Sequence, residues 1–169
     1  LCVLIITTLF PGEAFAQARS FGATFSYAGT GVEYVHSESE RHFTRYQLRL
    51  ETSSLFWTDR GRPGISVSAF WNTVFATYES RNGNKVRFYA GPGISAGFSE
   101  DLMGPLGMFI GLKGDIGAEC YFSRGIAISL SLSPMLGGHF KRMDGMTHMR
   151  IYRAGLCYGF MPEAGIRYI

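Results

Sequence analysis

Nine ionisable side chains recur on one side of an alternating pattern: Glu33, Arg45, Arg49, Glu51, Arg87, Lys113, Asp115, Glu119 and Arg167. Both signs are present, and the positions sharing their side are mostly Gly, Ser, Thr and Asn. Opposite charges facing one another across a narrow space neutralise each other, whereas charges lining a wider one would pass a small solute or ion. A lumen filled by its own salt bridges is the first reading of this set, and a narrow channel is the alternative.

Two other stretches hold reactive groups. Tyr34-Val35-His36-Ser37-Glu38-Ser39-Glu40 contains a base, hydroxyls and carboxylates, the raw materials of acyl transfer. Sequence neighbours rarely converge into a triad, and the His-x-Ser-Asn pattern of outer-membrane lipid A deacylases is absent, so a solvated loop is expected there. His139 and His148 flank Lys141, Arg142 and Asp144. They could meet a metal or a lipid phosphate, but an ordinary polar connection is the plainer expectation. No catalytic residue, metal site or cofactor is assigned.

The elements that must position these groups show a period of two. Phe21, Ala23, Phe25 and Tyr27 alternate with small residues, and Gly29-Thr30-Gly31 then shifts the phase, read here as a bulge within residues 20–36. Tyr46, Leu48 and Leu50 oppose Arg45, Gln47, Arg49 and Glu51. Further segments follow over residues 65–78, 86–98, 106–118 and 126–132, then about Met149–Phe160 and Ala164–Ile169. Ser80-Arg81-Asn82-Gly83-Asn84 and Phe122-Ser123-Arg124-Gly125 carry hairpin-turn chemistry.

Which side faces water decides the class. A soluble barrel would carry many Lys and Glu on its outward face. Here the polar side is sparse in charge, while the other is dense in Leu, Ile, Val, Ala and aromatics over stretches of nine or more residues. That length suits a tilted strand crossing a membrane, where one Arg or Lys on the lipid face costs about 2–4 kcal/mol near the midplane. The charged share is 17%, below the roughly one quarter usual in soluble domains, in keeping with a surface turned away from water. A net charge of +3 with no basic run gives no ground for a nucleic-acid partner.

Leu1–Phe10 is apolar, Pro11-Gly12 ends the run, and Ala14-Phe15-Ala16-Gln17-Ala18 offers a small-residue cleavage site. Residues 1–18 therefore read as a signal peptide cut after Ala16 or Ala18, and residues 19–169 as one domain. Cys2 would leave with it. Cys120 and Cys157 are expected as free thiols, with a periplasmic disulfide as the alternative. Trp57, Trp71, Tyr78, Tyr121 and Tyr158 are expected at the membrane interfaces.

The stretch Phe88-Tyr-Ala-Gly-Pro-Gly-Ile-Ser-Ala-Gly-Phe98, followed by residues 107–130, resembles small outer-membrane β-barrel proteins, especially the family abundant in Bacteroidetes and related in style to OmpA-type transmembrane domains. Pro162-Glu-Ala-Gly-Ile-Arg-Tyr-Ile169 resembles a C-terminal barrel-assembly strand. The resemblance implies a Gram-negative outer-membrane location, contact with membrane lipid and lipopolysaccharide, and recognition of the last strand by the assembly machinery. It implies no activity.

The expectation is an all-β, up-and-down, antiparallel transmembrane barrel of eight strands (alternatively ten), monomeric and not an enzyme. Its role would be structural or one of envelope interaction, before a porin-like channel or a lipid A-modifying enzyme. One conflict stands. With eight segments counted this way, the longer connections near 52–64, 99–105 and 137–147 fall on the periplasmic side, where such barrels keep short turns. A boundary near residues 20–36 or 134–160 is misplaced, or the count is ten.

Overall fold

The computed structural model describes residues 19–53, 62–80, 84–102, 106–122, 125–143 and 146–169. The signal-peptide segment and Trp57 lie outside the described residues. In chain order the strands are β1 (Arg19–Ser26), β2 (Gly29–Ser37), β3 (His42–Glu51), β4 (Gly64–Glu79), β5 (Lys85–Glu100), β6 (Leu106–Phe122), β7 (Ile126–Leu132), β8 (Met135–Met143), β9 (Met146–Ile151) and β10 (Glu163–Tyr168), with a helix, α1 (Arg153–Gly159), before β10.

Eight of these strands close on themselves. β1 to β6 pair in sequence order, β6 pairs with β7, β7 with β10, and β10 with β1, all antiparallel. Closure satisfies every strand edge in the ring, which the many β-branched and aromatic residues require. β8 and β9 extend the wall rather than widen it. β7 pairs with Ile116–Phe122 of β6 and β8 with Met108–Lys113, so β7 and β8 are one stave interrupted at Ser133-Pro134. β9 pairs with β8, and the chain then passes through α1 into β10. The eighth stave is thus also in two pieces. Eight is the number of staves, and ten the number of strand segments.

Residues 20–36 are two strands, not one bulged strand. The reversal occurs at Tyr27-Ala28, where the Ser26 hydroxyl accepts from the Gly29 N–H at 3.3 Å and reaches the Gly29 carbonyl at 3.2 Å. This early turn inverts every later strand and removes the conflict over connections. Both ends of the barrel chain share one rim (the terminal rim) with connections 38–41, 80–84 and 123–125. The opposite, distal rim carries connections 27–28, 52–63 and 101–105. Residues 137–147, expected as a connection, belong to the β8–β9 hairpin. The segment Met149–Phe160, expected as a strand, ends β9 and then turns into α1.

The register sets the shape. Following partners from Ile110 through Ala96, Val67, Leu48, Val32, Ala23, Ile166 and Ile128 leads back to β6 at Cys120, a stagger of ten residues. Eight staves with that stagger tilt by about 40° and enclose a radius of about 8 Å between backbones, so side chains fill the interior. Every residue on this circuit is apolar and faces outward, and Val32, Leu48, Val67, Ile110, Ile128 and Ile166 are all exposed. Among the described ring strands, outward Asp, Glu, Lys or Arg occurs only at the outermost positions, Arg19 of β1 and Glu100 of β5.

The inward positions invert the usual order of a protein core. Two apolar clusters lie inside: Val35, Phe43, Val74 and Tyr89 towards the terminal rim, and Phe109, Met135, Tyr152 and Ala154 towards the distal rim. Between them the barrel is packed with charge.

Candidate functional site: a charged lumen capped at both ends

All nine charged residues singled out in the sequence are buried, at 9% exposure or less. The alternation of a strand puts each on the inner wall, and closure of the barrel brings them together. Glu163 joins them, buried and central. It stands at the first position of β10, one residue ahead of where the alternation was read from Ala164, although its spacing from Arg167 places both on the same face.

The ion pairs form a chain of alternating sign. Arg87 bonds Glu119 at 3.0 Å, and Glu119 also takes Arg167. Arg167 lies 3.5 Å from Glu33, and Glu33 lies 3.7 Å from Arg45. Arg45 then meets Asp115 at 2.7 Å and Glu163 at 4.0 Å, while Glu163 is also held by Arg49. Neutral groups fill remaining hydrogen-bond positions. Gln47 donates to Glu163 at 2.7 Å and to Thr24 at 3.0 Å, and Asn72 donates to Asp115 at 2.8 Å. Among the described buried side chains, the cations Arg45, Arg49, Arg87, Lys113 and Arg167 balance the anions Glu33, Glu51, Asp115, Glu119 and Glu163.

Balance matters because the charges have left water. An uncompensated buried charge costs several kcal/mol, and removing one member of a buried pair typically costs about 3–5 kcal/mol. Aromatic faces supply additional support. The Arg45 guanidinium lies 4.6 Å from the centroid of Phe70, and that of Arg87 lies 4.4 Å from Tyr121. Lys113 has no described carboxylate within ion-pair distance and lies 5.2 Å from the Phe70 centroid. Inward glycines make the room. A Cβ on Gly22 would strike the Arg167 side chain, and one on Gly117 the Tyr89 hydroxyl.

The two ends close differently. At the terminal rim, Phe43 and Tyr89 meet edge to face at 5.1 Å, with Val35 and Val74 beside them. All four are carried by strands of the ring. At the distal rim the chain leaves the sheet, and Tyr152 turns inward between two rings, stacked on Phe109 at 4.5 Å and on His139 at 5.8 Å. His139 Nε2 lies 3.0 Å from the Ser99 carbonyl oxygen, which can only accept, so that nitrogen carries the proton. α1 is fastened at its start by the Asp101 carboxylate, which accepts from the Ala154 N–H at 2.8 Å, and at its end by Ser133 N–H donating to the Gly159 carbonyl at 2.9 Å. Beneath it lies a cavity of about 30 Å³, lined by Arg49, Glu51, Phe109, Lys113, Tyr152 and Tyr158 among others. That is space for about one water molecule.

Two of the aromatics expected at the interfaces lie off the outward wall. Tyr121 shares the inward face with Glu119, donates to its carboxylate at 2.7 Å and accepts from Arg87. Tyr158 is on α1, half-buried, with its ring 5.7 Å from Tyr27. Trp71 and Tyr78 are outward and exposed. Cys120 faces outward on β6, Cys157 lies exposed on α1, and neither is in a disulfide.

The His36–Glu40 segment spends its groups on a turn. Glu38 accepts from Thr44 at 2.8 Å, and the Ser39 hydroxyl accepts from the Arg41 and His42 N–H groups. No hydrogen bond among the described residues joins His36 to a serine hydroxyl. The expected polar connection around His139 and His148 is instead the β8–β9 hairpin, with His139 buried and His148 exposed. Among the described residues no group of His, Cys, Asp and Glu is arranged to hold a metal, and no helix is long and apolar enough to cross a membrane, a test that does not address strands.

Comparison with known proteins returns no matching family model, no matching curated protein and no matching solved structure.

Proposed function

We propose that this chain is a monomeric, integral outer-membrane β-barrel of a Gram-negative bacterium, with a sealed lumen and a structural or envelope-interaction role. The observation that carries the reading is the unbroken outward circuit of apolar residues from Ile110 round to Cys120. Water would be a poor solvent for that surface, whereas the hydrocarbon of a bilayer suits it, and the ring of β1–β7 and β10 pairs its own edges by closing on itself. The placement of longer connections opposite the termini fits the same reading, with the terminal rim in the periplasm. The resemblance to the small outer-membrane barrel family and the expected signal peptide point the same way, with β10 as the strand offered to the assembly machinery.

The lumen supports a closed barrel over a channel. Ten charges pair or pack within about 8 Å of the axis, and apolar clusters close both ends. No residue is assigned a catalytic role. The purified protein is expected to need detergent and to migrate faster on a gel unheated than boiled. Complete solubility in detergent-free buffer would overturn the membrane assignment. Planar bilayers holding the protein are expected to stay silent, and steady unitary currents would overturn the sealed lumen.

A further inference from the structure

The wall of the barrel is incomplete beside β9. This strand pairs with β8 on one side, and its other edge has no partner among the described strands. Where the eighth stave would continue, the chain becomes α1, leaving a notch at the distal rim between the edge of β9 and the β1–β2 turn. The floor is α1, held to that turn by the contact of Tyr158 with Tyr27.

The surfaces of the notch have two chemistries. Ile151 is in register with Gly138 and Ile110, and Met149 with Phe140 and Met108, so the outer face of the hairpin prolongs the apolar belt. Ile151 and Met149 are 64% and 68% exposed. Below them Leu156, Phe160 and Met161 are exposed on and after α1. The other face of the hairpin is basic: Lys141 stands opposite His148, and Arg150 opposite the buried His139. Arg150 and Arg153 flank the inward turn of Tyr152, both exposed and without an ion pair to any described residue. No acidic residue occurs in β8, β9 or α1. Asp101, which reaches the start of α1, is engaged by the Ala154 N–H.

We propose that this notch holds a phosphorylated lipid of the outer leaflet, with Arg150 and Arg153 on the headgroup phosphate and Leu156, Phe160 and Met161 against the acyl chains. The inference rests on the membrane assignment above. A soluble phosphate would use the arginines and leave the apolar floor bare, and an uncharged lipid would do the reverse. Only a molecule with both parts satisfies the cations and the belt together, and the position at the rim puts headgroup and chains at the matching levels.

The test uses the full mature chain in nanodiscs of phosphatidylcholine with a minor fraction of diphosphoryl lipid A, released into a native mass spectrometer to count retained lipid. Wild type is expected to retain lipid A, and Arg150→Gln/Arg153→Gln to retain it about thirtyfold more weakly. Arg41→Gln/Lys85→Gln, at the terminal rim, is expected to match wild type, and Leu156→Gln/Phe160→Gln to weaken retention. Equal retention by wild type and the double arginine variant overturns the notch, as does displacement of the lipid by inorganic phosphate alone. Heat-dependent migration verifies that each variant is folded. Failure of wild type itself to enter nanodiscs overturns the membrane assignment instead, so the two failures are distinguishable.

Discussion

The two ends of the lumen are packed by unlike means. At the terminal rim the plug is Val35, Phe43, Val74 and Tyr89, side chains of strands whose backbones are already fixed by the ring. At the distal rim the plug depends on Tyr152 and Ala154, which stand where the eighth stave abandons the sheet. The first seal cannot yield without disturbing the barrel. The second hangs on a short helix, and a helix of this length has little stability of its own. It is kept by Asp101, by Ser133 and by the packing of Tyr152 on Phe109 and His139. The contrast separates a seal built into the fold from one added to it.

That contrast can be broken at the layer between the seals. Glu119→Ala leaves Arg87 without a carboxylate and Arg167 with only its longer contact to Glu33, and is expected to cost about 3–5 kcal/mol in urea unfolding of the refolded barrel. A loss under 1 kcal/mol would mean the charges are solvated and the seals leak. Phe43→Ala is expected to cost about 3–5 kcal/mol as well, because the ring is fully enclosed. Tyr152→Ala should cost less and leave the barrel intact, since α1 can move outward and relax. Neither variant alone is expected to conduct in a planar bilayer; current through Tyr152→Ala would show that the distal seal was the sole barrier.

A smaller effect belongs to the outer wall. Ile94→Arg, in the exposed middle of β5, is expected to lower stability in lipid by about 2–4 kcal/mol and to have far less effect if water surrounds the barrel. Smallest is Asp101→Ala, which frees the first turn of α1 at a cost of about 1 kcal/mol. Amide exchange should quicken over Ala154–Gly159 while Val35 and Phe43 remain protected. Uniform quickening at both ends would erase the distinction between the seals.

The sequence announced the inner and outer walls clearly because strand alternation is strict: once one side of β6 is apolar, Lys113, Asp115 and Glu119 must share the other. The count of staves was also legible, although its bookkeeping was not. Tyr27-Ala28 lacks the Asn-Gly or Gly-Gly chemistry of a tight turn, while Gly29-Thr30-Gly31 imitates a bulge, so the first hairpin was hidden. Asp144-Gly145 is a strong hairpin dipeptide lying between β8 and β9, but the flanking histidines and cations read equally as a polar loop. The helix had no local signal. Tyr158, Phe160 and the glycines of residues 153–160 favour a strand or nothing, and α1 exists through contacts with Asp101, Met135 and Pro134 that only the closed barrel supplies. Tyr121 is ambiguous for a related reason: tyrosine suits an interface and a lumen equally, and its alternation with Glu119 is what places it on the inward face.

The place where the cylinder is joined has a mechanical consequence. β5 and β6 hold one another along the whole of Lys85–Glu100, whereas β1 and β10 meet only over Phe21–Ser26, because the rest of the eighth stave has gone into α1 and β9. A force that unrolls the wall will part it first along β10, which is held as briefly on its other side, by β7 over Ile126–Ser131. The long β5–β6 hairpin, whose ends are near in sequence, can zip early, while the β1–β10 seam must await nearly the entire chain. Opening and assembly therefore share one hinge line, set by the same interrupted strand that leaves the notch at the rim.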